Sequence, residues 1–369
     1  MMATYLSRRK THPILLIRSS HGAPKWVSSM EAQKLAVGES IFTCCERNHK
    51  DFGTCDRDVA REVLDRMITK KTEYLFEFGK VISHARFYIS QRPWFLRGLS
   101  CEIDEDQGEK DFKSRLSWDL KFDGEWFDRD GISILIYSIA ARRVGVVKSL
   151  LQSLDEKTSS LSDVQRQRRL VSVVPREGFV EVGVTGNMNA LSVAMAIGTS
   201  NVVCMLLDRG FDPMLSDIAG NHPFLMACIT NRIENVKYWL NRFPEWDMES
   251  PNAVVGGVAL GCTVFMGPNR FELTKLLLEC GSEPTSITHT GSSILISACQ
   301  CEDSDPKVVE LLLKYIPNLI VYRRRARTLL CSRIFLFPLT PLQHHNISFF
   351  NLLISKRTFK ISLSCVKML

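Results

Sequence analysis

VVCMLLDRGFDP (residues 202–213) is nearly restated 71 residues later as LTKLLLECGSEP (residues 273–284). Each is an apolar run ending in leucines, then two more residues, a Gly, one small or apolar residue, an acid and a Pro. Working outward, Leu207 and Leu240 end successive apolar runs 33 residues apart, and Leu191 and Phe224 begin them, also 33 apart. A fixed period of this size marks a stacked repeat, in which each unit is one supersecondary element.

The repeated residues fall into a known pattern. The sequence resembles the ankyrin repeat, D-x-x-G-x-T-P-L-H-x-A-A-x-x-G followed by V-V-x-L-L-L-x-x-G-A-D. In 217–240 the matches are Asp217, Gly220, Pro223, Phe224 in the Leu place, Ala227, Val236 and Leu240, with His222 in the Thr place. In 187–213 they are Leu191, Ala194, Gly198, Val202, Val203, Leu206, Leu207, Gly210 and Asp212. A unit at 128–151 carries Asp128, Gly131, Ser133, Leu135, Val146, Val147, Leu150 and Leu151. Another at 289–315 carries Gly291, Ser293, Leu295, Ala298, Val308, Val309 and Leu311 to Leu313. The fifth has Leu260, Leu276 to Leu278, Gly281 and Glu283, and it and the 289–315 unit need about two extra residues between their helices. The resemblance covers roughly 128–316, about half the chain, and speaks to fold rather than to a particular partner.

The expected fold class is therefore all-α: an ankyrin-type helix-turn-helix solenoid with short hairpin loops, preceded by a helical N-terminal region. Its physics is consistent. Small residues on the first helix of each unit let neighbouring units approach closely, and the Val and Leu of the second fill the seam between layers. Gly210 and Gly281 sit where the second helix stops and the chain turns, often with positive φ. Neither helix buries its apolar face alone, so stacking stabilises the array. Departures from the pattern predict a less regular array. Only one unit keeps Pro at the Thr-Pro position, and none has the His after Leu that ties neighbouring turns together in the family. Leu135 and Leu191 lie 56 residues apart, so the excess is assigned to a loop insertion at 155–183, either an extended loop with a short hairpin or a disordered stretch.

Outside the repeats, residues 1–54 read as irregular or partly disordered, and 55–127 as a helical capping region that shields the first unit. Val59, Val63, Leu64, Met67, Leu75, Phe78, Ile82 and Phe87 supply its apolar periodicity. Trp118, Phe122, Trp126 and Phe127 lead into the first repeat and are assigned to cap packing ahead of a binding patch. The array itself is set at 128–318. Residues 319–369 carry nine basic residues and no acid; without them the remaining 38 basic residues face 40 acids, so the net charge of +7 belongs to this tail. Three readings of it stay open: a terminal repeat around TPLQ (340–343), a basic targeting tail, or a segment that is not a native structured one. The near-neutral body gives no expectation of nucleic acid.

No apolar run reaches the roughly 18 residues of a membrane span, and the twelve cysteines show no disulfide spacing, which fits a reducing compartment. Cytoplasm, with the nucleus as an option, is the expected location. Cys44, Cys45, His49 and Cys55 look superficially like a zinc knuckle. Adjacent cysteines cannot easily turn both thiolates to one metal, so no metal is expected. No Gly-rich phosphate loop, metalloprotease motif or nucleophile elbow appears, and neither cofactor nor enzymatic activity is expected.

Ankyrin arrays as a family are binding scaffolds that grip another protein in a concave groove, which solenoid curvature also produces. The resemblance thus implies a non-enzymatic, monomeric protein–protein interaction scaffold for an unidentified partner protein. The alternative is a regulatory or adaptor part of a larger enzyme whose catalytic domain is N-terminal or missing. Residues expected on the binding surface are Arg129, Asp130, Ile132, Ile218, Ala219, Asn221, His289, Thr290, Ser292 and Gln300. Ile132 and Ile218, apolar on a polar rim, are the expected hot spots.

Overall fold

The computed structural model describes residues 14–16, 25–27, 42, 45, 55–79, 82–99, 108–156, 185–265, 269–300 and 306–316. The tail at 319–369, nearly all of the 155–183 insertion and the acidic stretch 101–107 lie outside them. Thirteen helices and one short antiparallel strand pair make the described residues essentially all-α. In that pair β1 (Ile14–Leu16) faces β2 (Lys25–Val27), with Leu15 opposite Trp26. No helix among the described residues is long and apolar enough to cross a membrane.

The chain divides into two compact units. The first runs to Trp246 and takes in Asn252–Val254; the second holds Asp247–Pro251 and resumes at Val255. In the first unit, α1 (Asp56–Phe78) packs along α2 (Ile82–Phe95), and α3 (Glu109–Arg115) follows. Three helix pairs come next: α4 (Ile134–Ala140) with α5 (Val144–Glu156), α6 (Ala190–Ile197) with α7 (Ser200–Leu207), and α8 (Pro223–Ile229) with α9 (Ile233–Arg242). Helix α6 lies between α4 and α8, while α7 packs on α5 and α9, so first and second helices form separate layers. Helices α2 and α3 pack on α4 and α5 respectively, where a preceding pair would stand. The second unit repeats the arrangement with α10 (Ala259–Phe265), α11 (Phe271–Glu279), α12 (Ile294–Gln300) and α13 (Pro306–Tyr315). There α10 packs on α12 and α11 on α13.

Local chemistry sets each pair. The residue before the first helix caps it by accepting a bond from the N–H three residues on: Ser133 from Ile136, Asn189 from Ser192, His222 from Leu225 and Ser293 from Ile296. Such a cap satisfies a donor that the helix leaves unpaired. Two residues before each cap the backbone turns left-handed, at Gly131 (φ 83°), Asn187 (φ 60°), Gly220 (φ 75°) and Gly291 (φ 79°). Gly256 (φ 70°) holds the matching place before α10. Every residue of α4, and of α6 up to Ala196, is buried, because each of these helices is packed between two flanking ones.

The helices before the first pair differ from expectation in detail. Leu64, Ile68 and Leu75 of α1 are buried, but Val59, Val63 and Phe78 are exposed, Phe78 at 62%. The apolar stripe read from the sequence is therefore wider than the face that α2 covers. Of the four aromatics before the first pair, Trp126 is buried and Phe122 is 67% exposed, so the expected packing does not extend to Phe122.

Candidate functional site

The hairpin tips between helix pairs are built on one recurring turn. Asp128 Oδ1 accepts from the backbone N–H groups of Asp130 (3.0 Å) and Ile132 (2.8 Å). Asp217 Oδ1 does the same for Ala219 (2.9 Å) and Asn221 (2.8 Å). In the second unit Thr288 stands in the Asp position, its hydroxyl accepting from Ser292 N–H at 3.1 Å. A short side-chain acceptor closing its own turn is the known role of Asp and Thr in such loops.

Tips are also tied to one another. Ile218 N–H donates to the Gly186 carbonyl at 2.9 Å, and, at the same register in the second unit, His289 N–H donates to Val255 at 2.9 Å. Thr185 Oγ1 donates to Asp217 Oδ2 (2.6 Å), Asn221 Nδ2 to the same oxygen (3.1 Å), and Asn252 Nδ2 to Asn221 Oδ1 (2.9 Å). A Thr–Asp–Asn–Asn chain of side chains thus links these turns.

The first tip rests on a buried ionic cluster. Arg86 of α2 is fully buried and donates to Asp123 (2.7 Å), Asp128 (3.2 Å) and the carbonyls of Leu116 (3.0 Å) and Ser117 (2.9 Å). Its guanidinium carbon also lies 4.8 Å from the Trp118 ring centroid. The Tyr137 hydroxyl donates to Asp128 Oδ2 at 2.7 Å, and Asp123 Oδ1 accepts from Arg129 N–H at 3.0 Å. Burial alone would raise the Asp123 pKa. Hydrogen bonds from Arg86 and from the Asp119 and Arg129 N–H groups, with the Arg86 charge, outweigh it and hold the carboxyl below its usual range. For Asp128 burial prevails, and its pKa is pushed up. This clamp fixes Arg129 and Asp130 at the surface. Asp130 Oδ2 accepts from Ser83 N–H at 2.9 Å. Beside it, Leu75, Phe76, Gly79 and Ile82 join Arg129 and Asp130 around an open depression.

The residues expected on the binding surface divide accordingly. Arg129, His289 and Thr290 are exposed; Asp130, Ile218, Ala219 and Ser292 are half-buried; the Gln300 side chain lies outside the described residues. Two expectations are corrected. Ile132 is fully buried and Asn221 is 3% exposed. Both follow the left-handed residue of their turn, as does fully buried Met188. In the first unit that position points inward, filling the space under the tip at Ile132 and Met188 and bracing the next tip at Asn221. We predict that Ile132→Ala lowers stability by about 2–5 kcal/mol, as a core truncation does. A denaturant titration reads it; a cost near zero would return Ile132 to the surface. Apolar groups exposed near the tips include Phe76 (37%) and Phe78 (62%) in the first unit and Ile287 (57%) in the second; the sequence reading assigned Phe78 to an apolar stripe and did not single out Phe76 or Ile287. Two residues apart on α1, Phe76 and Phe78 project to different sides of the helix, so one covering helix does not bury both.

Of the cysteines flagged as a knuckle, Cys45 and Cys55 place their sulfurs 3.7 Å apart, while Cys44 and His49 lie outside the described residues. No cluster of three or more His, Cys, Asp or Glu side chains suited to a metal occurs among the described residues. No protein-family model matches the chain, and no curated protein sequence is significantly similar to it.

Proposed function

We propose that the chain is a non-enzymatic scaffold that binds a partner protein along its hairpin tips, and that its helix pairs stack in the ankyrin manner. The observation that carries this reading is the repeated tip-to-tip hydrogen bond, Ile218 to Gly186 and His289 to Val255. In each unit it ties one turn to the next. A row of rigid turns presents side chains at little entropic cost on association. The depression beside Arg129 and Asp130 adds what a protein contact uses, an exposed aromatic with a charged pair at its rim.

The test uses the full chain with a photo-crosslinking residue at position 129 or, on the exposed side of α5, at position 148. Covalent adducts with one protein that form from 129, fail from 148 and disappear in Phe76→Ala support the proposal. Adducts equal from both positions, or none from 129, overturn it.

A further inference from the structure

Trp94, in the last turn of α2, gathers three arginines. The guanidinium carbon of Arg97 lies 3.6 Å from its ring centroid, that of Arg142 3.9 Å and that of Arg232 5.9 Å. At 3.6 and 3.9 Å each guanidinium must lie flat on the ring, and one face has room for only one, so Arg97 and Arg142 stack on opposite faces. Arg142, in the α4–α5 turn, and Arg232, capping α9, are 90 residues apart in sequence yet meet at the end of one helix. Arg142 Nε donates to the Ile197 carbonyl (2.9 Å) and Arg232 Nη2 to that of Gly198 (2.7 Å), both at the C-terminus of α6.

Each guanidinium has five N–H donors, and these carbonyls take one apiece. Neither Arg142 nor Arg232 has a carboxylate partner among the described residues; the charges acting on Arg142 are Arg232 and Arg97, and that acting on Arg232 is Arg97. Burial first, then these like charges, push the Arg142 guanidinium down to about 9 and lower Arg232 as well. The indole face and the negative end of the α6 dipole offset part of the repulsion. Neither supplies a counter-charge. By contrast Arg86, the fully buried arginine of the same unit, is matched by two aspartates.

We infer that Trp94, Arg97, Arg142 and Arg232 form a binding site for a phosphate-class oxyanion. A dianion matches the two unopposed guanidinium charges of Arg142 and Arg232, and their planar forks suit tetrahedral oxygens bidentately. Stacking on Trp94 holds the Arg142 fork in one plane, which lowers the ordering cost of each bond. The oxyanion is either a free small phosphate or a phosphorylated side chain of another protein. The site is independent of the tip-binding reading, since a free phosphate would fill it equally well.

Isothermal titration of the full chain, at ionic strength fixed with chloride, tests the inference with inorganic phosphate, pyrophosphate, and a phosphoserine peptide beside its unphosphorylated twin. One saturable site per chain for at least one phosphate probe is expected. Tight binding of pyrophosphate assigns a small ligand. A phosphopeptide that binds more tightly than either salt, with a silent twin, assigns a modified protein. Arg142→Gln and Arg232→Gln are each expected to weaken binding about tenfold or more, as loss of a charged hydrogen-bond partner does. Arg142→Lys, which keeps the charge and loses the fork, should fall between. Arg92→Gln, which removes an exposed arginine paired with Asp65, should leave binding unchanged. Far-UV melts check that each variant folds, and the wild-type titration stands whatever they show. Absence of saturation with every probe, or a folded Arg→Gln pair that binds like wild type, overturns the inference.

Discussion

Arg86→Met is expected to destabilise the first unit by about 3–5 kcal/mol, the cost of leaving a buried ion cluster without one partner. Methionine fills most of the volume, so the loss is electrostatic. Asp123 and Asp128, each 5% exposed, would lose their shared cation, and the carbonyls of Leu116 and Ser117 would lose donors. Domain stabilities of about 5–15 kcal/mol make this a large fraction of the total. The pH dependence has a definite sign. In the wild type, Arg86 holds the Asp123 pKa below its unfolded value, so that contribution is present above the unfolded pKa and fades as pH falls through the folded one. Without Arg86 both carboxyls rise above their unfolded values, so the variant gains relative stability as acid protonates them. The gap between the two proteins should therefore be widest near neutrality and close below about pH 4. Urea titrations followed by circular dichroism across pH would read it. The triple variant Arg86→Met, Asp123→Asn, Asp128→Asn should recover much of the loss, since removing a whole buried cluster is commonly neutral. A gap independent of pH would mean that packing, not charge, holds this cluster.

Trp239→Ala is the second large effect, about 3–5 kcal/mol. Trp239 is fully buried, with ring centroids 5.0 Å from Phe243, 5.0 Å from Trp246 and 6.2 Å from Phe224. The contact with Trp246 is edge-on at 88°, the geometry that aromatic quadrupoles favour. Its indole N–H is buried without an acceptor, so Trp239→Phe removes an unsatisfied donor along with part of the ring. That variant should cost less than half as much as the alanine change in the same thermal melt. Equal costs would show that the N–H is paired, or that the ring sits in a looser site than its burial implies.

How much of this was readable beforehand follows from distance along the chain. The 33-residue period, the apolar first helices and the cap residues are local, and Ser133, Asn189, His222 and Ser293 could each be placed by counting from Leu135, Leu191, Phe224 and Leu295. The left-handed positions were half legible: the glycines announce themselves, whereas Asn187 does not. Ile132 was misplaced because all the residues following the leading Asp128 were assigned to the outer surface of the turn. Apolar Met188 at the same register was the available warning. Arg86 could not be paired from sequence. Asp123 and Asp128 lie 37 and 42 residues away, and charge complementarity over such gaps has no period to betray it. The Trp94 cluster is hidden for the same reason, since its arginines come from a helix end and two turns.

The turn at Arg142 carries a consequence for engineering. Its backbone is left-handed at φ 57°, where Asn231 (φ 59°) and Asn269 (φ 58°) occupy the corresponding places in other pairs. Asparagine tolerates that conformation; a long side chain loses about 1 kcal/mol or more there. The same residue faces two further cations. A selection for heat resistance alone would therefore be drawn to Arg142→Asn early, and the hardier protein it yields would have traded away whatever the guanidinium holds.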